Sequence, residues 1–417
     1  MIFTLFFIGV FSYRAWIVTD THYDDLYTEG SASKCFTVDC CHADSVPREG
    51  TEDQLAGRCG NLNCYPPLDT VTSAYDYIAD NAQSGDEVFF LMDVVPGDVL
   101  SQSMSINKDR ITEQVDIMKK KLSGIAVYPV PGNHDYFLSS EWEYPPTCEW
   151  MLEHMAKQFK KWLPTDALNT FKKGGYYTLK LESGVRLISL NLVFVDAFNI
   201  YSKKYKETDP AGITAWFNAT MKAAKEAGEK VIIISHEGVG LKGSGKNDLV
   251  AEFNADYDNI MNLYGDVVIA HFAGHSHEES FRVLPTAEKA KYGIILNPAL
   301  TTWQNINPKF RLVEYDNNKV TDWTTFYLPI DDCNAASSGY PWKKLYKASE
   351  AYGLNDYSPA GLKKLYEKIN SDSSAWATYT GYYSNAEQAA CKSGKCKTEL
   401  ICSQICLTEE CFANCTA

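Results

Sequence analysis

Five short motifs hold most of the residues able to do chemistry: Asp20-Thr-His22-Tyr-Asp24, Met92-Asp93, Gly132-Asn133-His134-Asp135, Ser235-His236 and Gly274-His275-Ser-His277. The chain has 8 histidines, and five of them (His22, His134, His236, His275 and His277) fall in these motifs. Together His22, His236, His275 and His277 offer four imidazoles, Asp20 and Asp93 two carboxylates, and Asn133 one amide oxygen. That mixture suits a borderline divalent metal such as zinc, manganese or iron. No thiolate belongs to the set, which argues against a closed structural zinc site. A single D-x-H is ordinarily a capped turn, and a single G-N-H-D a tight turn in which glycine supplies the unusual backbone angle. The conjunction of all five points to one site.

Each motif follows an apolar run, so strands must position them. Residues 16–19 read as a short buried strand ending at Asp20. Residues 88–92 (VFFLM) are continuously apolar, as in a strand covered on both faces. Strands are expected over 125–130, 231–235 and 267–272, each ending at a motif. In open α/β sheets ligands bind beyond the carboxyl ends of the strands, so the five motifs should converge on one rim. Helical spacing covers 68–83, 107–122, 149–162, 211–227 and 248–263. A hairpin with Glu182-Ser-Gly at its turn joins 176–181 to 185–190. Further strands are expected near 281–284, 293–297, 310–315 and 320–327. This βα alternation closed by a β-rich stretch predicts layered sheets with helices outside. From about 331 the composition shifts to Cys, Tyr and Lys with short helical patterns, as in a disulfide-stapled helical subdomain.

Lys+Arg number 39 and Asp+Glu 53, giving a net charge of −14 over 417 residues. Such a surface repels polyanions, which excludes duplex nucleic acid as a partner. A small phosphate ester can still bind where metal cations dominate the local field. Residues 2–11 (IFTLFFIGVF) are too short to span a bilayer and fit the apolar core of a signal peptide over 1–15, with Ser12 and Ala15 near the cleavage point. No later run is long enough for a membrane anchor. Of 13 cysteines, five lie within 35–64 and six within 391–415, clustered as disulfide staples are. The expectation is a secreted or lysosome-like monomer with at least one thiol outside intrachain pairs. Asn218-Ala-Thr and Asn414-Cys-Thr are candidate N-glycosylation sites.

The ordered motifs D-x-H, D, G-N-H-D, a strand-end His and G-H-x-H resemble those of the calcineurin-like metallophosphoesterases. Asp20-Thr-His-Tyr-Asp with Tyr27-Thr-Glu-Gly, Cys40-Cys41, Leu190-Asn191, Ala273-Gly-His-Ser-His-Glu-Glu and Asn307-Pro-Lys-Phe-Arg-Leu-Val-Glu-Tyr narrow the likeness to the acid sphingomyelinase-like phosphodiesterases. The resemblance implies an α/β fold: an αββα sandwich of two mixed sheets flanked by helices, over 16–330, with a small helical disulfide-rich subdomain over 331–417. It implies two divalent ions, zinc by preference. Asp20, His22 and His277 hold the first, Asn133, His236 and His275 the second, and Asp93 bridges both. A local turn, expected at Gly274, lets His275 and His277 reach different ions. His134 faces the leaving group rather than a metal. The implied reaction is attack on a phosphodiester by a metal-bridging hydroxide, with His134 as general acid. Asp24 and Asp135 are candidate carboxylates for orienting the imidazoles, and Asn191 is carried over beside them. The likeness also implies Cys35–Cys40 and Cys41–Cys64 pairs with Cys59 left over, and a Cys402–Cys406 pair.

Four positions depart from the family pattern. Met92 stands where glycine usually precedes the bridging Asp. Gly97 stands where sphingomyelinases carry a histidine, four residues beyond Asp93; His154 and His271 are better read as packed or surface residues than as replacements. Pro96 replaces the tyrosine of purple acid phosphatases, and of the family's Asn-Thr-Asn only Asn191 remains. The first strand also begins almost at once, so no saposin-like lipid-lifting domain is expected. The substrate is therefore expected to be a phosphocholine lipid of the sphingomyelin type or a nucleotide. A nucleotide phosphomonoesterase and an inactive binding protein on the same scaffold are the alternatives.

Overall fold

The computed structural model describes residues 12–36, 39–97, 101–204, 209–383, 391 and 394–417. The expected signal segment falls outside these up to residue 11. Tyr13 to Ala15, expected to be part of it, instead belong to the first strand, where Ala15 pairs with both Glu87 and Val313.

The chain opens with strand β1 (Tyr13–Val18), followed by helix α1 (Leu68–Asn81), β2 (Glu87–Phe90), α2 (Met104–Lys121) and β3 (Ala126–Pro129). Val71, Ala74, Tyr75 and Ile78 of α1 are buried at helical spacing, so its apolar stripe faces the sheet. α2 starts three residues before its expected position, because the Ser103 side chain accepts from the Ile106 amide as an N-cap. Helices α3 (Glu149–Gln158) and α4 (Thr165–Gly174) lead to the hairpin β4 (Tyr177–Lys180) and β5 (Arg186–Leu190). Next come α5 (Ile213–Glu226), β6 (Val231–Ser235), α6 (Ala251–Tyr264), β7 (Val268–Ala273), β8 (Ser280–Leu284), β9 (Tyr292–Leu296), β10 (Lys309–Tyr315) and β11 (Val320–Tyr327). The C-terminal region holds α7 (Ile330–Ala335), β12 (Lys343–Lys347), α8 (Ala348–Tyr352), α9 (Pro359–Ser371), α10 (Ser373–Tyr383), α11 (Gly394–Ile405) and α12 (Glu409–Thr416).

Two six-stranded sheets result, ordered β12-β11-β10-β1-β2-β3 and β4-β5-β6-β7-β9-β8. Both are mixed: β1, β2 and β3 run parallel while β10, β11 and β12 are antiparallel, and β5, β6, β7 and β9 run parallel between antiparallel edges. The sheets pack face to face, with Phe89 of β2 and Phe272 of β7 in ring contact at 5.9 Å. β12 lies in the tail expected to be helical. Its lysine-rich sequence suits the exposed edge it forms on β11.

Six disulfides use twelve cysteines, and Cys148 is the buried free thiol. Cys35–Cys40 and Cys41–Cys64 form as expected. Cys59 is not left over; it bonds Cys333 across 274 residues and ties the N-terminal loop to the tail. Cys402 and Cys406 do not pair with each other. α12 folds back on α11 and brings Cys415 to Cys402 and Cys411 to Cys406, at Cα separations of 5.8 and 5.4 Å that a disulfide spans without strain.

Candidate metal centre

The loops leaving β1, β2, β3, β6 and β7 meet at one end of the sandwich and are joined directly by backbone hydrogen bonds. The Asp20 amide donates to the Met92 carbonyl (2.7 Å), His22 N–H to Asp93 O (3.1 Å) and Gly274 N–H to His236 O (2.8 Å). Asp20, His22, Met92, Asp93, His275 and His277 all have positive φ, between 41° and 66°. Left-handed backbone at non-glycine residues costs free energy and persists where the surroundings over-determine it, as at functional sites. The turn between His275 and His277 is made by these two residues rather than by Gly274. Gly274 and Gly132 supply room: a Cβ on Gly274 would lie 2.1 Å from Thr19 Oγ1, and one on Gly132 2.5 Å from Asp93 Oδ1.

The structure brings all seven expected ligands into one cluster. Asp20, His22 and His277 form one group with ligand atoms close enough for a single ion, and Asp20, Asp93 and His236 a second. Asp93 Oδ2 lies 3.2 Å from His22 Nε2 and 3.3 Å from His236 Nε2, so it reaches an imidazole of each group, and Asp20 belongs to both. Asn133 Oδ1 stands 3.0 Å from both His236 Nε2 and His275 Nδ1, and its Nδ2 donates to Ser140 Oγ (2.8 Å), which fixes the amide with oxygen inward. Backbone carbonyls set two tautomers: Val95 O accepts from His22 Nδ1 (2.8 Å) and Leu91 O from His236 Nδ1 (2.7 Å). Each Nε2 lone pair therefore points into the cluster, as a metal requires. Asp20 Oδ2 accepts from Thr19 Oγ1 (2.6 Å) and from the His275 amide (3.0 Å), while Oδ1 is buried with no hydrogen-bond partner. An orphaned carboxylate oxygen among imidazole lone pairs fits a cation. Burial opposes the ionised form of Asp20 and Asp93, but the neighbouring imidazoles outweigh it and hold both well below the usual carboxylate range.

His134 stands beside the first group, its ring T-shaped against His22 at 4.9 Å and its amide donating to Asp93 Oδ1 (2.6 Å). Burial lowers its pKa to about 4, against the pull of Asp93. A cavity of about 370 Å³ opens over the cluster, lined by His22, Asp93, His134, His275 and His277 together with Tyr65, Lys242, Glu278 and Trp303. A larger cleft of about 670 Å³ between α5 and α6 is lined by Asp209, Glu252 and Asp256. Those carboxylates would repel a phosphate, so the smaller cavity is the candidate site.

The other expected residues take different places. Asp135 accepts from the amides of Gly132 (2.8 Å), Asp93 (3.1 Å) and Val94 (2.8 Å), so it shapes the Asp93 turn instead of touching an imidazole. Asp24 pairs with His42 (2.7 Å), outside the ligand set. Asn191 donates to Gly174 O (3.1 Å) behind the hairpin. His154 bonds Thr112 on α2, and His271 lies within β7 between Ser235 and Tyr257. Asn218 and Asn414 are exposed on α5 and α12. Sequence reasoning missed Tyr65, Lys242, Glu278 and Trp303. Two had a visible signal: Glu278 directly follows the G-H-x-H motif, and Lys242 lies in a Gly-rich loop (Gly240-Leu-Lys-Gly-Ser-Gly) just after the strand-end His236.

The sequence pattern of the family described as calcineurin-like phosphoesterase matches residues 13–279, and that of the acid sphingomyelin phosphodiesterase C-terminal region matches 293–417. Among known proteins, sphingomyelin phosphodiesterase of Homo sapiens is 30% identical over 413 residues, covering 94% of this chain and 63% of its own. Sphingomyelin phosphodiesterase B of Dictyostelium discoideum is 28% identical over 404 residues, covering 92% of this chain and 62% of its own. Cyclic GMP-AMP phosphodiesterase SMPDL3A of Homo sapiens is 28% identical over 420 residues, with 96% and 89% covered. The chain thus spans less than two thirds of the length of these two sphingomyelin phosphodiesterases. The chain belongs to the calcineurin-like phosphoesterase family.

Proposed function

We propose that this member of the calcineurin-like phosphoesterases is a phosphodiesterase for a small phosphodiester, either a phosphocholine lipid or a nucleotide, with two zinc ions as its resident metals. The observation that carries this is the convergence of Asp20, His22, Asp93, Asn133, His236, His275 and His277 beneath a cavity that also presents His134. When bound, two such cations stabilise charge on phosphoryl oxygens and activate water. The chain's own residues do the rest. Asp135 and the Val95 and Leu91 carbonyls hold the donor atoms in place. His134 stands at the cavity wall as the proton donor to the leaving oxygen, and its low pKa makes its charged form a strong acid whose population rises as pH falls.

The six disulfides support a secreted or lysosome-like compartment. Among the described residues no helix is long and apolar enough to cross a membrane. Exposed Asn218 and Asn414 are the sites proposed to carry glycans there. The test is a hydrolysis screen, read by the product formed (phosphocholine, nucleotide, nitrophenol or inorganic phosphate), of purified, metal-analysed protein with sphingomyelin in detergent, CDP-choline, ATP, a nucleoside monophosphate and bis(4-nitrophenyl) phosphate. Diester turnover lost on chelation and restored by zinc supports the reading. Turnover of the monoester alone, or of none with metal bound, refutes it.

A further inference from the structure

Lys242 brings a positive charge to the cavity wall that the ligand set does not use. His134 stands beside the first ligand group, against His22. Lys242 stands beside the second, with Nζ 3.5 Å from His275 Nε2, while His275 Nδ1 faces Asn133 Oδ1 at 3.0 Å. The ammonium is therefore one imidazole ring beyond the ligand atoms, and it lines the same cavity.

Its charge is only partly answered. The nearest carboxylate is Asp248, whose Oδ1 lies 3.5 Å from Nζ and has no hydrogen-bond partner among the described residues. Asp248 Oδ2 is taken by Arg282, which is buried on β8 and also donates to Val239 O (2.6 Å). One carboxylate thus faces two cations, and Arg282 holds it more closely. The third neighbour of Nζ is the Phe198 ring, 4.1 Å away at its centroid, which steadies a cation without neutralising it. Glu278, the other charged group of this wall, accepts a hydrogen bond from the Tyr383 hydroxyl on α10.

The loop that carries Lys242 is braced. The Lys242 amide donates to Lys246 O (2.8 Å) and its carbonyl accepts from Gly245 N–H (2.8 Å). Lys246 pairs with Glu409 of α12 (3.6 Å), and Asn247 Nδ2 donates to the same carboxylate (3.3 Å). A Cβ on Gly243 would lie 3.3 Å from Tyr383 Oη, and the Phe412 ring fills the space over Gly245. The C-terminal helices thus set where the ammonium stands, and a cation held in place loses little freedom on binding an anion.

We propose that Lys242 is a specificity-determining residue, binding a second phosphate that adjoins the scissile one. A lysine ammonium is a compact point charge suited to phosphate oxygens. The preferred substrates are then nucleotide-type diesters that contain a phosphoanhydride. A phosphocholine lipid has no second phosphate to answer Lys242. The inference rests on the phosphodiesterase reading and narrows its substrate.

The test compares the parent, Lys242→Met and Lys242→Arg, all zinc-loaded, on CDP-choline and on bis(4-nitrophenyl) phosphate, which has a single phosphate. A hydrogen bond to a charged group is worth on the order of 10–100-fold. The ratio of kcat/KM on CDP-choline to that on the nitrophenyl ester should fall by that factor in Lys242→Met, chiefly through KM, and recover in Lys242→Arg. A residue that only braced the loop would lower both substrates together, so a ratio within twofold of the parent overturns the proposal. Zinc content and thermal midpoint check folding, and Lys242→Gln takes the place of Lys242→Met if methionine disturbs the loop. Calorimetric binding of AMP and ADP needs no turnover and separates the two readings. If the parent hydrolyses no diester, the phosphodiesterase reading fails. Tighter binding of ADP than of AMP, lost in Lys242→Met, still supports the second-phosphate contact, and an ADP-to-AMP affinity ratio unchanged by the substitution refutes it.

Discussion

Glu87 on β2 is a buried carboxyl whose ionisation should set how stability depends on pH. Burial raises its pKa from 4.5 to about 7, against hydrogen bonds from Tyr315 Oη (3.1 Å) and the Glu182 amide. In the unfolded chain it titrates near the ordinary value. Below about pH 4.5 both states carry the proton and Glu87 costs nothing. Above about pH 7 the folded state must ionise it where the unfolded chain does so freely. Stability is therefore lost as pH rises through this window. The difference between 4.5 and about 7, at about 1.4 kcal/mol per unit, sets an upper bound of about 3 kcal/mol. Glu87→Gln removes the charge at every pH but places an amide N–H₂ where one of the two donors was accepted, a loss of about 1 kcal/mol. The variant should thus be about 1 kcal/mol less stable than the parent at pH 4.5 and about 2 kcal/mol more stable at pH 8. Urea midpoints of both proteins at the two pH values, with disulfides intact and metal content matched, measure this. A parent–variant difference that does not change with pH would refute the burial argument.

His134→Ala should keep its metal but lose about 10²–10⁴-fold in turnover of diesters with alkyl leaving groups; equal loss on a nitrophenyl ester would count against the acid role. Asp135→Asn offers one oxygen to amides that now share two, so the Asp93 turn should loosen and metal affinity fall about 10–100-fold, read by zinc competition with a chelating dye. Met92 has φ of 41° and a fully buried side chain, so truncation to Ala should cost about 2–5 kcal/mol. Met92→Gly should cost about 1 kcal/mol less than Met92→Ala because it relieves the left-handed strain, the reverse of the usual order in denaturant midpoints.

The elements that carry ligands were legible because they are continuous apolar runs ended by polar motifs. β6 (Val231–Ser235) and β11 (Val320–Tyr327) begin and end where periodicity places them. β12 was not legible, since a Lys-Lys-Leu-Tyr-Lys edge has neither alternation nor apolar continuity, and its pairing is decided by β11. α4 was equally hidden, being short and mostly polar. The seven ligands could be read from type and order. The glycine roles could not: a glycine that spares room and one that adopts positive φ look the same in sequence. Tyr65 and Trp303 were invisible for a related reason. They reach the cavity through the Cys41–Cys64 disulfide and the Thr302 contact, and both are long-range facts. Asp135 is a candidate imidazole partner in the sequence because a carboxylate beside a histidine invites that, or else a turn carboxylate, and its geometry serves three backbone amides.

The strained ligand turns explain why the two sheets and the centre belong together. Asp20, His22, Asp93, His275 and His277 each sit in left-handed backbone, a conformation that costs about 1–2 kcal/mol per residue. No single loop could hold that strain. Here each strained turn is hydrogen-bonded to the next: β1 to the turn after β2, that turn to Asp135 after β3, β7 to the turn after β6, and β9's following segment back to Thr19 through the Leu300 amide (3.0 Å). The bonds between Asp20 and His275 and between His236 and Leu91 cross from one sheet to the other. Ligand positions are thus set by how the sheets pack rather than by any one motif. That is why a buried residue such as Met92, which is not a ligand, can lie so close to function, and why Gly132 and Gly274 cannot accept even a methyl group without parting the strands that carry the ligands.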